Sequence, residues 1–149
     1  MKNINNRELG RQGERIAREY LAGQGYILLD SNYYASHKEI DIIALDGEYI
    51  VFIEVKSRTK AVRSSRHPVH RPSKRVNSKK RANIVFAANR FMAENLENEA
   101  LVGKLPRIDV IELLIPPIDT RFSSGDTLKL SACSIKHIRA AFCSDTSLR

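Results

Sequence analysis

The sequence predicts an α/β domain in which a mixed β-sheet is flanked by helices, and three observations predict it. Apolar residues recur at helical spacing near the start of the chain. Two Ile-rich runs meet at Asp46-Gly47, a tight-turn dipeptide. A second amphipathic segment is then followed by a dense apolar run, giving the order helix, three strands, helix, strand.

From Asn6 to Gln24, Leu9, Ile16, Ala17, Tyr20 and Leu21 mark one helical face, Asn5 or Asn6 can cap the start, and Gly23 and Gly25 mark the end. Tyr26-Ile27-Leu28-Leu29 reads as a short strand followed by a polar connection, and Ile40 to Leu45 as a second strand. Asp-Gly between β-rich runs signals a hairpin, because the turn needs a positive φ that Gly tolerates, so the third strand is Tyr49 to Lys56. Val76 to Leu96 places Ile84, Val85, Ala88, Phe91 and Met92 on one face of a long helix. Arg107 to Ile115 is dense in Ile, Val and Leu, as in a strand buried on both sides, and Pro116-Pro117 stops it. After a Ser and Gly loop over Arg121 to Asp126, a strand or hairpin arm over Leu128 to Cys133 and a short helix around Ile135 to Phe142 are expected to finish the domain.

A chain of 149 residues is the size of one ordinary domain, expected to span residues 1–149, and at that length folding buries roughly 68 to 70% of the unfolded surface. The longest apolar run, Ile111 to Ile118, is interrupted by Glu112, Pro116 and Pro117 and falls far short of a bilayer span, so no membrane is expected as a partner. Residues Met1 to Glu8 contain no apolar signal core, and Cys133 and Cys143 fit neither a metal spacing nor a disulfide framework. The expectation is a reduced, cytoplasmic protein.

The formal charge of +8 is not spread evenly. Between Val55 and Met92 there are twelve Lys and Arg and no acidic residue, a local charge of +12 that leaves about −4 for the remainder. A localised charge builds a field, and the partner it favours is a polyanion, here nucleic acid. If six of these side chains reached phosphates, roughly three decades of affinity would be lost between about 50 and 200 mM salt. No Phe, Tyr or Trp lies between Lys56 and Arg81, so the pattern fits the backbone of a duplex better than stacked single-strand bases. Arg58, Lys60 and Arg63, in a basic loop over about residues 57–75, and Lys79, Lys80 and Arg81 on the following helix are the expected phosphate contacts.

The chemistry is expected on the hairpin. Period-two geometry puts Glu54 and Lys56 on one face of their strand, and the neighbouring strand can bring Asp41 beside them. All three charges interrupt apolar runs. Two carboxylates at ~4 Å repel by roughly 4 kcal/mol at an effective dielectric of about 20, an arrangement that calls for a cation. Mg²⁺, with Mn²⁺ as a substitute, takes oxygen ligands and keeps several waters. Asp41 and Glu54 are therefore the expected metal ligands, with the Val55 carbonyl as a third, and Lys56 positions or acidifies the attacking water beside a phosphate.

Asp41, twelve intervening residues and Glu54-Val55-Lys56 resemble the PD-(D/E)XK motif of restriction-endonuclease-like nucleases. Gly10, Gly13-Glu14, Ala17, Tyr20-Leu21, Gly25, Glu39-Ile40-Asp41, Phe52 to Arg58, Val76 with Lys80, and Arg107-Ile108-Asp109-Val110 follow in an order that resembles the bacterial YraN family of endonuclease-like proteins. The N-terminal arrangement is also similar to archaeal Holliday-junction resolvases. The resemblance implies a restriction-endonuclease-like core, Mg²⁺-dependent cleavage of phosphodiester bonds in duplex or branched DNA, and a glutamate of the first helix, here Glu14, near the metal site. Alternatives are a non-catalytic nucleic-acid-binding protein that keeps the fold, and an RNA-processing nuclease. Symmetric cutting of two strands would call for a homodimer.

Several residues carry two readings. Glu14 is an outer metal ligand or a helix-surface carboxylate, and Glu39 assists Asp41 or makes a salt bridge to a helix. Lys80 contacts phosphate or serves structure, and Arg107 with Asp109 forms a buried pair beside the site. His37, His67, His70 and His137 show no mutual ligand spacing and are assigned no chemistry.

Overall fold

The computed structural model describes residues 6–59, 77–116 and 128–142, and within them the chain forms a five-stranded sheet in the order β1-β2-β3-β4-β5 with a helix on each face. The elements are α1 (Asn6–Gly23), β1 (Ile27–Ala35), β2 (Lys38–Asp46), β3 (Tyr49–Thr59), α2 (Ser78–Glu94), β4 (Leu105–Ile115) and β5 (Ser134–Ile138). The sheet is mixed: β3 and β4 run parallel, and the other neighbouring pairs are antiparallel. This is the α/β class expected from the sequence. No helix among the described residues is long and apolar enough to cross a membrane.

Strand alternation divides the core in two. Ile50 and Phe52 of β3 and Ile108 and Val110 of β4 pack with Ile84, Ala87, Ala88 and Phe91 of α2. Val51 and Ile53 with Ile111, Leu113 and Ile115 pack on the other face with Ile16, Ala17 and Leu21 of α1. Both faces of β3 and β4 are therefore buried, which is why these strands read as continuous apolar runs. Helix α1 approaches β3 closely at Gly13, where any Cβ would overlap the Ser57 hydroxyl. Asn77 caps α2, its side chain accepting from the Lys80 backbone N–H at 2.8 Å.

Three expectations are corrected. The supposed polar connection after Leu29 is mostly strand: β1 continues to Ala35, with a register shift between Leu28 and Asp30. β1 is an edge strand whose first residues are exposed, so Asp30 and Ser31 are tolerated in it. The expected strand over Leu128 to Cys133 is instead a single 3₁₀ turn, Leu130–Ala132. The expected helix over Ile135 to Phe142 is replaced by β5 and a turn, because Ile135 and Ile138 face opposite cores when extended and β5 pairs the free edge of β4. The Arg121 to Asp126 loop lies outside the described residues.

Candidate metal centre

The β2–β3 ladder runs from Asp46↔Tyr49 to Ile42↔Ile53, and the next residues outward are Asp41 and Glu54. The two carboxylates thus stand at the open end of the hairpin ladder. Asp41 is held in place by the strand beside it: the Val55 backbone N–H donates to its Oδ2 at 2.7 Å. Glu54 lies on the α2 face, where Lys80 Nζ meets its Oε1 at 3.2 Å. Its other oxygen, Oε2, is buried and, with both carboxyls ionised, has no hydrogen-bond partner among the described residues, while Asp41 lies close enough to share a proton with Glu54.

An orphaned buried carboxylate oxygen is costly, and its electrostatics reflect this. Burial, followed by the nearby Asp41 charge, pushes the Glu54 carboxyl up to about 7. Burial likewise raises Asp41, opposed by the Val55 N–H and the Lys80 charge. Lys80 therefore only partly compensates the pair. The donor set is all oxygen, carries negative charge and has one lone carboxylate oxygen, which fits a hard divalent cation that keeps several waters. Among the described residues no three His, Cys, Asp or Glu side chains converge on one point, so such an ion would complete its sphere with waters, backbone oxygen or substrate.

A second group of acids borders this pair. Glu14 of α1 and Glu39 of β2 converge on Asn32 of β1. With the Asn32 amide turned so that its nitrogen faces them, it donates to Glu14 Oε2 and Glu39 Oε1, each at 3.0 Å. Burial and the charges of Asp41 and Glu39 raise the Glu14 carboxyl. The structure thus brings Glu14, Glu39 and Asp41 into one electrostatic neighbourhood, as the sequence allowed.

Lys56 follows Glu54 by two residues on β3, opposite Glu112 of β4, and is partly buried. Lys80, read from the sequence as a phosphate contact or a structural residue, turns its ammonium into the site. The reason is helical phase: Lys80 lies one turn before Ile84, on the face that α2 presents to the sheet. Lys79 is exposed, Arg81 stacks over Phe142 at 5.1 Å, and Arg58 is exposed near the end of β3. Lys60 and Arg63 lie outside the described residues.

Arg107 and Asp109 do pair, with Nε to Oδ1 at 2.9 Å, but not beside the metal site. Asp109 sits next to Ile53 in register and faces α1, whereas Glu54 faces α2. Asn32 was missed by sequence reasoning, although Asn, here ending the polar run Asp30-Ser31-Asn32, is a residue type that tolerates a left-handed backbone.

Residues 13–113 match the family described as "Uncharacterised protein family UPF0102". The chain belongs to this family. A UPF0102 protein of Chlorobaculum parvum is 39% identical over 134 residues, covering 90% of this chain and 91% of the relative. One of Carboxydothermus hydrogenoformans is 40% identical over 119 residues, 80% of this chain and 91% of the relative. One of Chlorobium limicola is 37% identical over 140 residues, 93% and 94% respectively. The UPF0102 match agrees with the YraN resemblance, and its range runs from Gly13 in α1 to Leu113 in β4. Glu14, Asn32, Asp41, Glu54, Lys56 and Lys80 all lie inside it, and β5 lies beyond it.

Proposed function

We propose that this UPF0102 protein is a metal-dependent endonuclease that hydrolyses phosphodiester bonds in DNA, with branched or distorted duplexes as its substrates. The observation that carries this reading is the buried pair Asp41 and Glu54 at the end of the hairpin ladder, with one carboxylate oxygen left without a partner. Asp41 and Glu54 would hold Mg²⁺ or Mn²⁺, with the Val55 carbonyl as a further ligand. A divalent ion there supplies Lewis-acid stabilisation of charge on the phosphoryl oxygens and lowers the pKa of a bound water.

The chain's own groups have distinct tasks. The Val55 N–H fixes one Asp41 oxygen and so orients the other. Lys56, on the face of Glu54, orients the attacking water against the phosphate. Lys80 holds Glu54 Oε1, and with a cation bound to that carboxylate its ammonium would be available to a phosphate oxygen. Arg58 and Lys79, both exposed, steer the backbone toward the site, with Lys60, Arg63 and Arg81 as further members of the basic stretch.

The Lys80–Glu54 ion pair also gives a binding-only protein its footing, because an internal ammonium partly neutralises the carboxylates without a metal. The two readings separate in one assay. Supercoiled, linear, single-stranded and four-way-junction DNA, and matching RNA, are incubated with Mg²⁺, Mn²⁺ or EDTA. The nuclease reading expects metal-dependent nicking that is lost in Glu54→Ala and Lys56→Ala. Salt-sensitive binding without cleavage supports the binding-only protein, and cleavage unchanged in both variants rejects the assigned site.

A further inference from the structure

Asn32 combines two unusual features at one position of the edge strand. Its φ is 52°, in the left-handed region that side chains other than Gly seldom adopt and Asn tolerates best. Its pairing neighbours, Ser31↔Ile42 and Tyr33↔Ile40, place it opposite Asp41. From there its amide nitrogen reaches Glu14 of α1 and Glu39 of β2 together, each at 3.0 Å. Glu39 also stands opposite Tyr34 in the β1–β2 ladder, and its carboxylate holds the Tyr34 hydroxyl above the ordinary tyrosine value. Glycine would meet the backbone requirement at lower steric cost, so the backbone alone does not account for asparagine. What asparagine adds is a two-proton donor between like charges that would otherwise separate.

We propose that Asn32 is a positioning residue for the metal centre. Its amide clamps Glu14 and Glu39 beside Asp41, so that two carboxylates from different elements face the outer sphere of a cation held by Asp41 and Glu54. This inference rests on the metal-dependent reading above. Backbone irregularity concentrates where a site over-determines it, and outer partners of metal ligands typically change metal affinity or activity by roughly 10–100-fold.

The test titrates the full chain with Mn²⁺, following the free-ion electron paramagnetic resonance signal, and records the melting temperature without metal. Wild type, Glu54→Gln, Asn32→Gly and Asn32→Ala are compared. Asn32→Gly keeps the left-handed backbone and deletes the amide, whereas Asn32→Ala also strains the backbone. The expected result is Mn²⁺ binding by wild type, its loss in Glu54→Gln, and a weakening of roughly 10-fold or more in both Asn32 variants. The melting temperature should fall further for Ala than for Gly. In a Glu14→Gln background, Asn32→Gly should weaken binding less than it does alone, because the clamp acts through Glu14. Affinity within twofold of wild type in Asn32→Gly, with only the melting temperature moved, overturns the clamp and leaves the metal centre standing. Failure of wild type to bind Mn²⁺, or undiminished binding in Glu54→Gln, overturns the metal centre and the clamp with it. If the Ala variant does not fold, the Gly variant decides.

Discussion

Two buried carboxylates, Asp109 and Glu54, project from opposite faces of the same sheet, and they are built to opposite rules. On the α1 face Asp109 is wholly inaccessible, yet both of its oxygens are engaged. Oδ1 accepts from Arg107 Nε and the Ala140 N–H, each at 2.9 Å, and Oδ2 meets Arg107 at 3.0 Å and His137 Nε2 at 2.8 Å. Burial alone would raise this carboxyl, and the His137 and Arg107 hydrogen bonds hold it below the usual value instead. Arg107 in turn reaches Asp46 at 2.9 Å and the Tyr26 hydroxyl at 2.9 Å, so the network ties β2, β4 and β5 to the residue just before β1. On the α2 face the order is reversed: Glu54 has an orphaned oxygen, a neighbouring Asp41 charge and a carboxyl pushed up to about 7. One centre satisfies its charge internally, and the other is compensated only in part, by Lys80.

Breaking the satisfied centre should have the largest effect on stability. Asp109→Ala strips a buried guanidinium of one carboxylate and leaves the Ala140 N–H unpaired, an expected loss of about 3–5 kcal/mol, read by urea denaturation of the metal-free protein. The other centre should respond the opposite way. Glu54→Gln removes a carboxylate whose ionised form is disfavoured by burial, so metal-free stability should hold or rise while cleavage falls about 100-fold or more. Single-turnover nicking and a urea curve on the same preparation check both halves. A stability loss in Glu54→Gln as large as that of Asp109→Ala would make the two centres alike and remove the functional reading of Glu54.

How much of this was legible in the sequence follows from the same contrast. Asp41, Glu54 and Lys56 were visible because each interrupts an apolar strand run, and the Asp46-Gly47 turn fixed which strand brings the first to the others. The alternation put Glu54 on the face opposite Ile53 and Val55 without saying which helix covers it, and that helix is α2. Asp109 was equally visible as a charge in an apolar strand, but its partner His137 is 28 residues away on β5, a segment whose Ile135 and Ile138 spacing suits a helix and a strand alike. Sequence spacing could not separate those periods, so the pair was expected beside the metal site rather than behind it. For Lys80 the two readings stayed open, since charge counting does not reveal which cation turns inward. Asn32 depends on a left-handed φ and on two acids from different elements, neither of which is a local property of the chain.

The contrast has a smaller and sharper signature in pH. Glu54 has a native carboxyl raised from 4.5 to about 7, so its contribution to stability is fully present below pH 4.5 and is lost as pH rises toward and through 7. Asp109 is lowered from 3.8, so its contribution is present above that value and is lost only as pH falls through the native one. Between about pH 4.5 and 7 the Glu54 carboxyl therefore loses stability while the Asp109 carboxyl adds no change of its own. Urea unfolding of metal-free wild type and Glu54→Gln at several pH values across this interval should show a difference that grows in favour of the variant. Saturating Mg²⁺ selects the ionised carboxylates and should flatten the wild-type decline, with no such effect on Glu54→Gln. A wild-type-to-Glu54→Gln difference that is flat from pH 4.5 to 7 would mean that Glu54 ionises like a surface carboxylate, and the distinction between the two faces of the sheet would then rest on hydrogen-bond geometry alone.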